Sequence, residues 1–343
     1  MQKKLILQKE TTLSNIDFEK FSKYSKPGPR YTSYPTALEF NDDFKYDQYI
    51  EFLENSKEKL SLYVHLPFCR SACYFCGCNV VFTSKEKKLS AYIEYLKKEI
   101  DILAAHIDTS REVIQFHFGG GTPTYYKSFE LDEIVSYIKS KFPNWSKEAE
   151  ISCEIDPRFF NEDHMKVFQK HGFNRISFGV QDLDETVQKE IHRIQPLELT
   201  KKAVDLARKY GITSINTDFI YGLPYQTIQT FKETLELSRQ RDPDRVAVFN
   251  YAHVPGRRST QRRLDGGARR APGGRAVNRG SSAATVPLPT ITPSTCPRIS
   301  CTKRRDSSHE IHWLCPVWVA SLPSRVIAHL AMIQGRCRRT SFK

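Results

Sequence analysis

No apolar run in these 343 residues reaches membrane-spanning length. The nearest approach, HWLCPVWVASLP at 312–323, is too short and carries two prolines. No apolar stretch follows the opening MQKKLILQKETT, so no secretory signal is expected and a cytoplasmic location is. Acidic residues nearly vanish from one part of the chain: residues 256–343 hold three, against 17 Lys and Arg. Residues 1–255 hold 36 acidic and 35 basic residues, a net charge of −1. The formal charge of +13 therefore comes from the last quarter alone, which argues against nucleic-acid binding by the rest. Lysine, too, is missing from that quarter, with two against 15 arginines, where residues 1–255 use 25 Lys and 10 Arg.

The same stretch, from GRRSTQRRLDGGARRAPGGRAVNRG onward, has seven Gly, seven Pro and no sustained helical or strand period. It reads as a disordered basic arm or, given the abrupt change of composition, as out-of-frame or spliced-on sequence.

Residues 1–255 are organised differently. Short β-rich runs alternate with amphipathic stretches: SLYVHLP (61–67), VIQFHFG (113–119), EISCEID (150–156), RISFGVQ (175–181), SINTDFIYG (214–222) and RVAVFNYAH (245–253). Leu89, Ile93, Leu96, Ile100 and Leu103 recur at helical spacing, and TKKAVDLARKYG predicts a helix with Thr200 as N-cap and Gly211 as its stop. Six strands alternating with helices predict a parallel sheet with right-handed crossovers. Six such units fall two short of a closed eight-fold barrel, so an open, partial α/β barrel, (β/α)6, is expected, with flavodoxin-like winding as the alternative.

The polar residues fall at or after the C-terminal ends of these strands: Cys69 to Cys78, Gly119 to Thr122, Glu154 and Asp156, Gln181 and Asp182, Asp218, then Asn250 and His253. Parallel sheets gather their sites at that edge. Four of the nine cysteines stand within CRSACYFCGC, residues 69–78. A zinc ion could take four thiolates, but structural zinc sites usually clip together two separated pairs. Three thiolates spaced C-x3-C-x2-C can instead wrap three corners of a [4Fe–4S] cube, leaving one iron open and Cys78 as a spare thiol.

With Phe75 before its third cysteine, this motif resembles the signature of the radical S-adenosylmethionine (SAM) enzymes. The resemblance narrows through PGPRYTSYPT (27–36), YVHLPFC (63–69), CYFCGCN (73–79), FHFGGGTPT (116–124), EIDPR (154–158), RISFGVQD (175–182), INTDFIYGLP (215–224) and FNYAHVP (249–255). These are similar to the oxygen-independent coproporphyrinogen III oxidases over about residues 20–255. Beyond that only a faint echo continues, in STQRRLD at 259–265, where the family has a mostly helical C-terminal domain.

The resemblance implies an organisation as well as a reaction: a substrate-side segment over 1–50, the partial barrel over 51–255, and the atypical basic tail over 256–343. Cys69, Cys73 and Cys76 would ligate the cluster, whose open iron binds SAM. Tyr63, Gly120 and Glu154 match contacts of that SAM. Phe75, Gly121, Thr122, Gln181, Arg193, Asp218 and Ala252 match contacts of a second one. Tyr63 and His65 are the expected catalytic residues, and Arg30 is a partner for a substrate propionate. The implied reaction is oxidative decarboxylation of coproporphyrinogen III to protoporphyrinogen IX in haem biosynthesis. A 5′-deoxyadenosyl radical takes a hydrogen from the β-carbon of each of two propionates, and CO2 and an electron leave. A low-potential electron donor and a monomeric protein are expected, with neither nucleic acid nor membrane as partner.

Each residue also has a plainer reading. The glycine run could be a strand-to-helix turn, Glu154 an exposed strand-end carboxylate, Asp218 a helix cap and Arg193 a solvated surface charge. Gln181 could be a loop hydrogen-bonder, Tyr63 and Phe75 core aromatics, and His65 a satisfied strand residue. Two other functions stay open, a related haem chaperone without decarboxylase activity and an inactive fragment of the oxidase. PGPRYTSYPT, Gly77 and Cys78 favour the oxidase over the chaperone.

Overall fold

Side chains along a strand point alternately to its two faces, and in this chain the alternation separates apolar from polar residues. The computed structural model describes residues 43, 45–253, 255, 256, 258–264 and 317–321, the last five as backbone alone. Six strands run parallel: β1 (Leu60–Leu66), β4 (Val113–Gly120), β5 (Trp145–Ile155), β6 (Arg175–Gln181), β7 (Ser214–Tyr221) and β8 (Arg245–Asn250). They lie side by side in chain order, β1 next to β4 and onward to β8, so every crossover joins neighbours. Two short strands, β2 (Phe68–Cys69) and β3 (Val81–Phe82), pair separately and bracket the cysteine loop.

One face of the sheet carries Leu62, Val64, Phe116, Phe118, Ile151, Cys153, Ile176, Phe178, Ile215 and Phe219, all buried. Six helices cover this face, α1 (Tyr46–Asn55), α2 (Glu86–His106), α3 (Ser128–Lys141), α4 (Glu162–His171), α6 (Leu197–Lys209) and α7 (Ile228–Arg239), while the short α5 (Glu185–Glu190) packs in a separate cluster. The stripe Leu89, Ile93, Leu96, Ile100 and Leu103 of α2 is buried as its spacing requires, in one core with Leu131, Ile134, Met165, Phe168, Ala203 and Val204. Each such side chain stabilises the fold by about 1.5–3 kcal/mol through burial. The helix α1 straddles residue 50, and its Leu53 belongs to the same core.

The helix starts are set by local chemistry. Asn161 caps α4 by accepting from the His164 amide at 3.1 Å, and Gly172, at φ +81°, ends it. Gly211 follows α6 at φ +87° as its sequence position predicts. The start of α6 differs from expectation: the helix begins three residues before Thr200, with Pro196 as N-cap. Proline supplies a fixed φ there, and Thr200 is instead a buried side chain accepting from the Gln195 amide at 3.0 Å.

The tail contributes two described pieces. Ser259–Leu264 forms a 3-10 turn, and β9 (Val317–Ser321) adds to the free edge of β1 in antiparallel register, Leu60 opposite Ser321. The sequence VWVAS is rich in strand-forming types, and the outer edge of β1 offers it an unpaired ladder. The disorder or frame of the remaining tail, the segment 27–36 and Arg30 lie outside the described residues.

Candidate functional site

The cysteine loop is rooted at the C-terminal ends of β1 and β4. The Gly121 amide donates to the Leu66 carbonyl at 2.9 Å and the Thr122 amide to the Phe68 carbonyl at 3.0 Å. Amides of Val81 and Thr83 close the loop's far side on the carbonyls of Pro67 and Cys69. Its middle is tied to the α5–α6 connection. The Tyr74 amide donates to the Ile191 carbonyl at 2.9 Å, the Tyr74 ring stacks on His192 at 4.8 Å, and His192 Nδ1 donates to the Ala72 carbonyl at 2.8 Å. Phe75 packs with Val187, Ile191 and Leu223 in a small apolar cluster of its own.

The three spaced thiols meet different surroundings. Cys69 Sγ lies 3.4 Å from Thr122 Oγ1, and burial pushes its thiol up to about 12. Cys73 Sγ receives guanidinium donors from Arg158 at 3.5 Å and from Arg193 at 3.6 Å. Both arginines also bond the buried Asp156 carboxylate, at 2.7 and 2.8 Å. Burial alone would raise that carboxyl, but Arg193 and Arg158 hold it below the usual range. A hydrogen bond from Cys78 brings the Cys76 thiol down to about 7 against its burial, with help from the Cys78 amide at 3.4 Å and from Arg258 and Arg193. The same bond pushes the Cys78 thiol up. Arg193, 7% exposed, is not a solvated surface charge, and its Nε is a buried donor without a partner. Such an orphan is rare in a folded protein and marks a place for an acceptor.

The glycine run permits close approach at two points. A Cβ on Gly121 would lie 2.7 Å from the Pro67 carbonyl, and one on Gly120, at φ +117°, would lie 2.9 Å from the His65 ring. His65 Nε2 donates to the Asn79 carbonyl at 2.9 Å, and burial keeps the ring neutral by lowering its pKa. Its Nδ1 then accepts from the Tyr63 hydroxyl at 3.0 Å, and burial, with the Glu154 charge, raises that phenol. His65 is thus a satisfied strand residue and also the link between β1 and the loop.

The second face of the sheet is polar and leads to the same edge. Tyr63 stacks on His117, whose Nδ1 is hydrogen-bonded with Ser152 Oγ at 2.7 Å and whose Nε2 stands 3.6 Å from Glu154 Oε1. Asp218 accepts from Ser177 at 2.8 Å and from Asn216 at 2.7 Å, so it is not a helix cap, and burial raises its carboxyl. Gln181 ends β6 at φ +69°, a left-handed conformation costly for a residue with a Cβ. Thr122 is buried beside Cys69, and Ala252 lies just past β8 with its carbonyl bonded to Gln261 at 3.1 Å.

The fourteen residues matched to the cluster, to SAM and to catalysis lie from the middle of a parallel strand onward or in the segments that follow one, while Arg30 lies outside the described residues. The sequence reading passed over His117, Arg158, His192 and Gln261 as site residues. For His117 the signal was strand alternation, since it stands two residues from Gln115 on the polar face. Arg158 sits within the quoted EIDPR, but its reach to Cys73, 85 positions away, is visible only in three dimensions.

Among known proteins, the profile of the Radical SAM superfamily matches residues 63–238. The oxygen-independent coproporphyrinogen III oxidase of Helicobacter pylori strain 26695 is 58% identical over 258 residues, 74% of this chain and 56% of its own length. The Escherichia coli oxidase of the same name is 43% identical over 249 residues, covering 72% of this chain and 54% of its own. A solved structure of coproporphyrinogen III oxidase from Escherichia coli, described as a radical SAM enzyme, superposes with a TM-score of 0.65 at 42% identity, covering 68% of this chain and 54% of that one. The chain spans about half the length of the curated relatives it matches. Among its described residues no helix is long and apolar enough to cross a membrane. The chain belongs to the radical SAM superfamily, and that membership implies a [4Fe–4S] cluster and SAM.

Proposed function

We propose, from that membership, that residues 51–255 are the radical SAM unit of an oxygen-independent coproporphyrinogen III oxidase acting in haem biosynthesis in the cytoplasm. The observation that carries the proposal is the placement of Cys69, Cys73 and Cys76 on one loop, with two guanidinium donors on Cys73. Thiolate is the form that ligates metal, and cationic neighbours favour it. These three cysteines would hold the cluster. When bound, the cluster and SAM supply the one-electron cleavage that yields a hydrogen-abstracting radical.

The remaining roles belong to this chain's own side chains. Tyr63, Gly120 and Glu154 would receive the SAM at the cluster. Glu154, exposed beside His117, offers a carboxylate to an amino group or ribose hydroxyls. His65, bonded on both ring nitrogens, holds the Tyr63 hydroxyl in place rather than offering a free proton acceptor. Phe75, Gly121, Thr122, Gln181, Arg193, Asp218 and Ala252 would form a second SAM site, and the unpartnered Arg193 Nε is a donor such a ligand could use. Asp218, whose carboxyl burial raises against the hydrogen bonds from Ser177 and Asn216, offers an acceptor to a hydroxyl. Coproporphyrinogen III is the proposed substrate, and a low-potential donor supplies the electron.

The test is anaerobic cluster reconstitution and reduction, addition of SAM and coproporphyrinogen III, and chromatography of 5′-deoxyadenosine together with oxidised porphyrins. Both products support the oxidase. Deoxyadenosine without protoporphyrin restricts the chain to the radical half of the reaction. Neither product, from iron-loaded protein, overturns the proposal.

A further inference from the structure

The resemblance in sequence fades after residue 255, yet the described turn at Ser259–Leu264 does not stand apart from the site. Gln261 is 1% exposed and Leu264 is 2% exposed, in a turn whose other side is solvent. The Gln261 side chain donates from one nitrogen, Nε2, to two carbonyls: Phe75 at 2.9 Å and Ala252 at 3.1 Å. Phe75 stands between Cys73 and Cys76, and Ala252 lies just beyond the last parallel strand. Two positions along, Arg263 Nη1 donates to the Tyr74 hydroxyl at 2.8 Å with its guanidinium 5.1 Å from that ring's centre. The same Tyr74 ring is stacked on His192. Consecutive loop residues 74 and 75 are thus each held by one residue of this turn.

The amide of Gln261 suits this task because it can split two hydrogens between two acceptors, and it is buried where water cannot replace it. Leaving both carbonyls without that donor would cost each its hydrogen bond. We infer that Ser259–Leu264 is a clasp on the cysteine loop and that Gln261 is its positioning residue, setting the separation between Phe75 and the segment after β8 at Ala252. The functional meaning rests on reading Cys69, Cys73 and Cys76 as cluster ligands and Phe75 and Ala252 as a SAM-binding pair. The clasp itself is a statement about the loop and is tested without metal.

The experiment compares the full metal-free chain with its Gln261→Met variant, which keeps length and burial but has no donor. Amide hydrogen exchange over residues 74–78 should quicken about tenfold, the equivalent of one to two net hydrogen bonds, while circular dichroism is unchanged. Arg263→Ala, at an exposed position, should quicken the same amides even if Gln261→Met fails to fold. Ser259→Ala, exposed on the same turn, should not. After reconstitution and reduction, Gln261→Met should also alter the change that SAM produces in the cluster's electron paramagnetic resonance spectrum, which loss of stability alone would not do. Unchanged exchange over 74–78 in both Gln261→Met and Arg263→Ala overturns the clasp. If the unmodified chain takes up no iron, the functional reading fails, and the exchange comparison still decides the clasp.

Discussion

The two faces of one sheet do different work. On β1, Leu62 and Val64 sink into the helical layer while Tyr63 and His65, their immediate neighbours, form the site. On β4 the pairs are Phe116 and Phe118 against Gln115 and His117. On β5 they are Ile151 and Cys153 against Ser152 and Glu154. The apolar face carries the stability, because its side chains are wholly withdrawn from water and close-packed. The polar face carries the side chains proposed to meet SAM, and they bond laterally to each other. Substitutions should therefore separate into those that unfold the chain and those that empty the site.

The largest effect belongs to the cysteines. Cys73→Ser should reduce reconstituted iron from about four per chain to near zero, with 5′-deoxyadenosine formation lost, while circular dichroism stays unchanged. Cys78→Ser should keep its iron, and equal loss in both variants would break the distinction between ligand and spare thiol. Next, Phe118→Ala on the apolar face should lower unfolding free energy by about 3–5 kcal/mol in chemical denaturation. Its folded fraction should still load iron, which sharpens the separation of the faces.

Asp156 crosses that separation. Its carboxylate is buried against Arg158 and Arg193, so Asp156→Asn leaves two guanidiniums short of an anion beside Cys73. A loss of about 3–5 kcal/mol is expected, as for other broken buried pairs, together with a changed spectrum of the reduced cluster. Asp218→Asn on the polar face should cost less than about 1 kcal/mol, because an amide can still accept from Ser177. Its mark should be weaker SAM binding, by about tenfold, read by calorimetry on reconstituted protein.

The legibility of the molecule in its sequence follows the same division. Strand alternation and the α2 stripe are local patterns, and they located all six parallel strands and the core helix within a few residues. The cysteine cluster was legible because its four thiols lie within ten residues of sequence. Arg158 on Cys73 and Gln261 on Phe75 join positions 85 and 186 apart, and no local pattern encodes such pairs. The start of α6 was misplaced because Thr200 is a good cap by type, whereas Pro196, four residues before it, fixes the entry of the chain. The division drawn at 255 followed composition, which is blind to Gln261 and Leu264 being buried.

The smallest effect tests whether the polar face is free of stability. Burial lowers the pKa of His65, and it does the same for His164, which donates to the Tyr126 carbonyl at 2.9 Å within the helical layer. His171 is lowered by burial too, although Asp132 beside it pulls the other way. Each ring is thus held neutral in the folded chain, while the unfolded chain takes up a proton near pH 6.5. Stability from these groups is present above that pH and falls as pH drops below it, by at most about 1.4 kcal/mol per pH unit for each proton. His164→Gln should flatten this acid limb in denaturant titrations between pH 6.5 and 5. His65→Gln should flatten the limb as well, and a limb left as steep as before would mean that His65 takes up its proton alike in the folded and the unfolded chain. Equal flattening in both variants would mean that the bonds from His65 to Tyr63 and Asn79 also hold the fold, because protonating its Nδ1 would displace the Tyr63 hydroxyl from its acceptor.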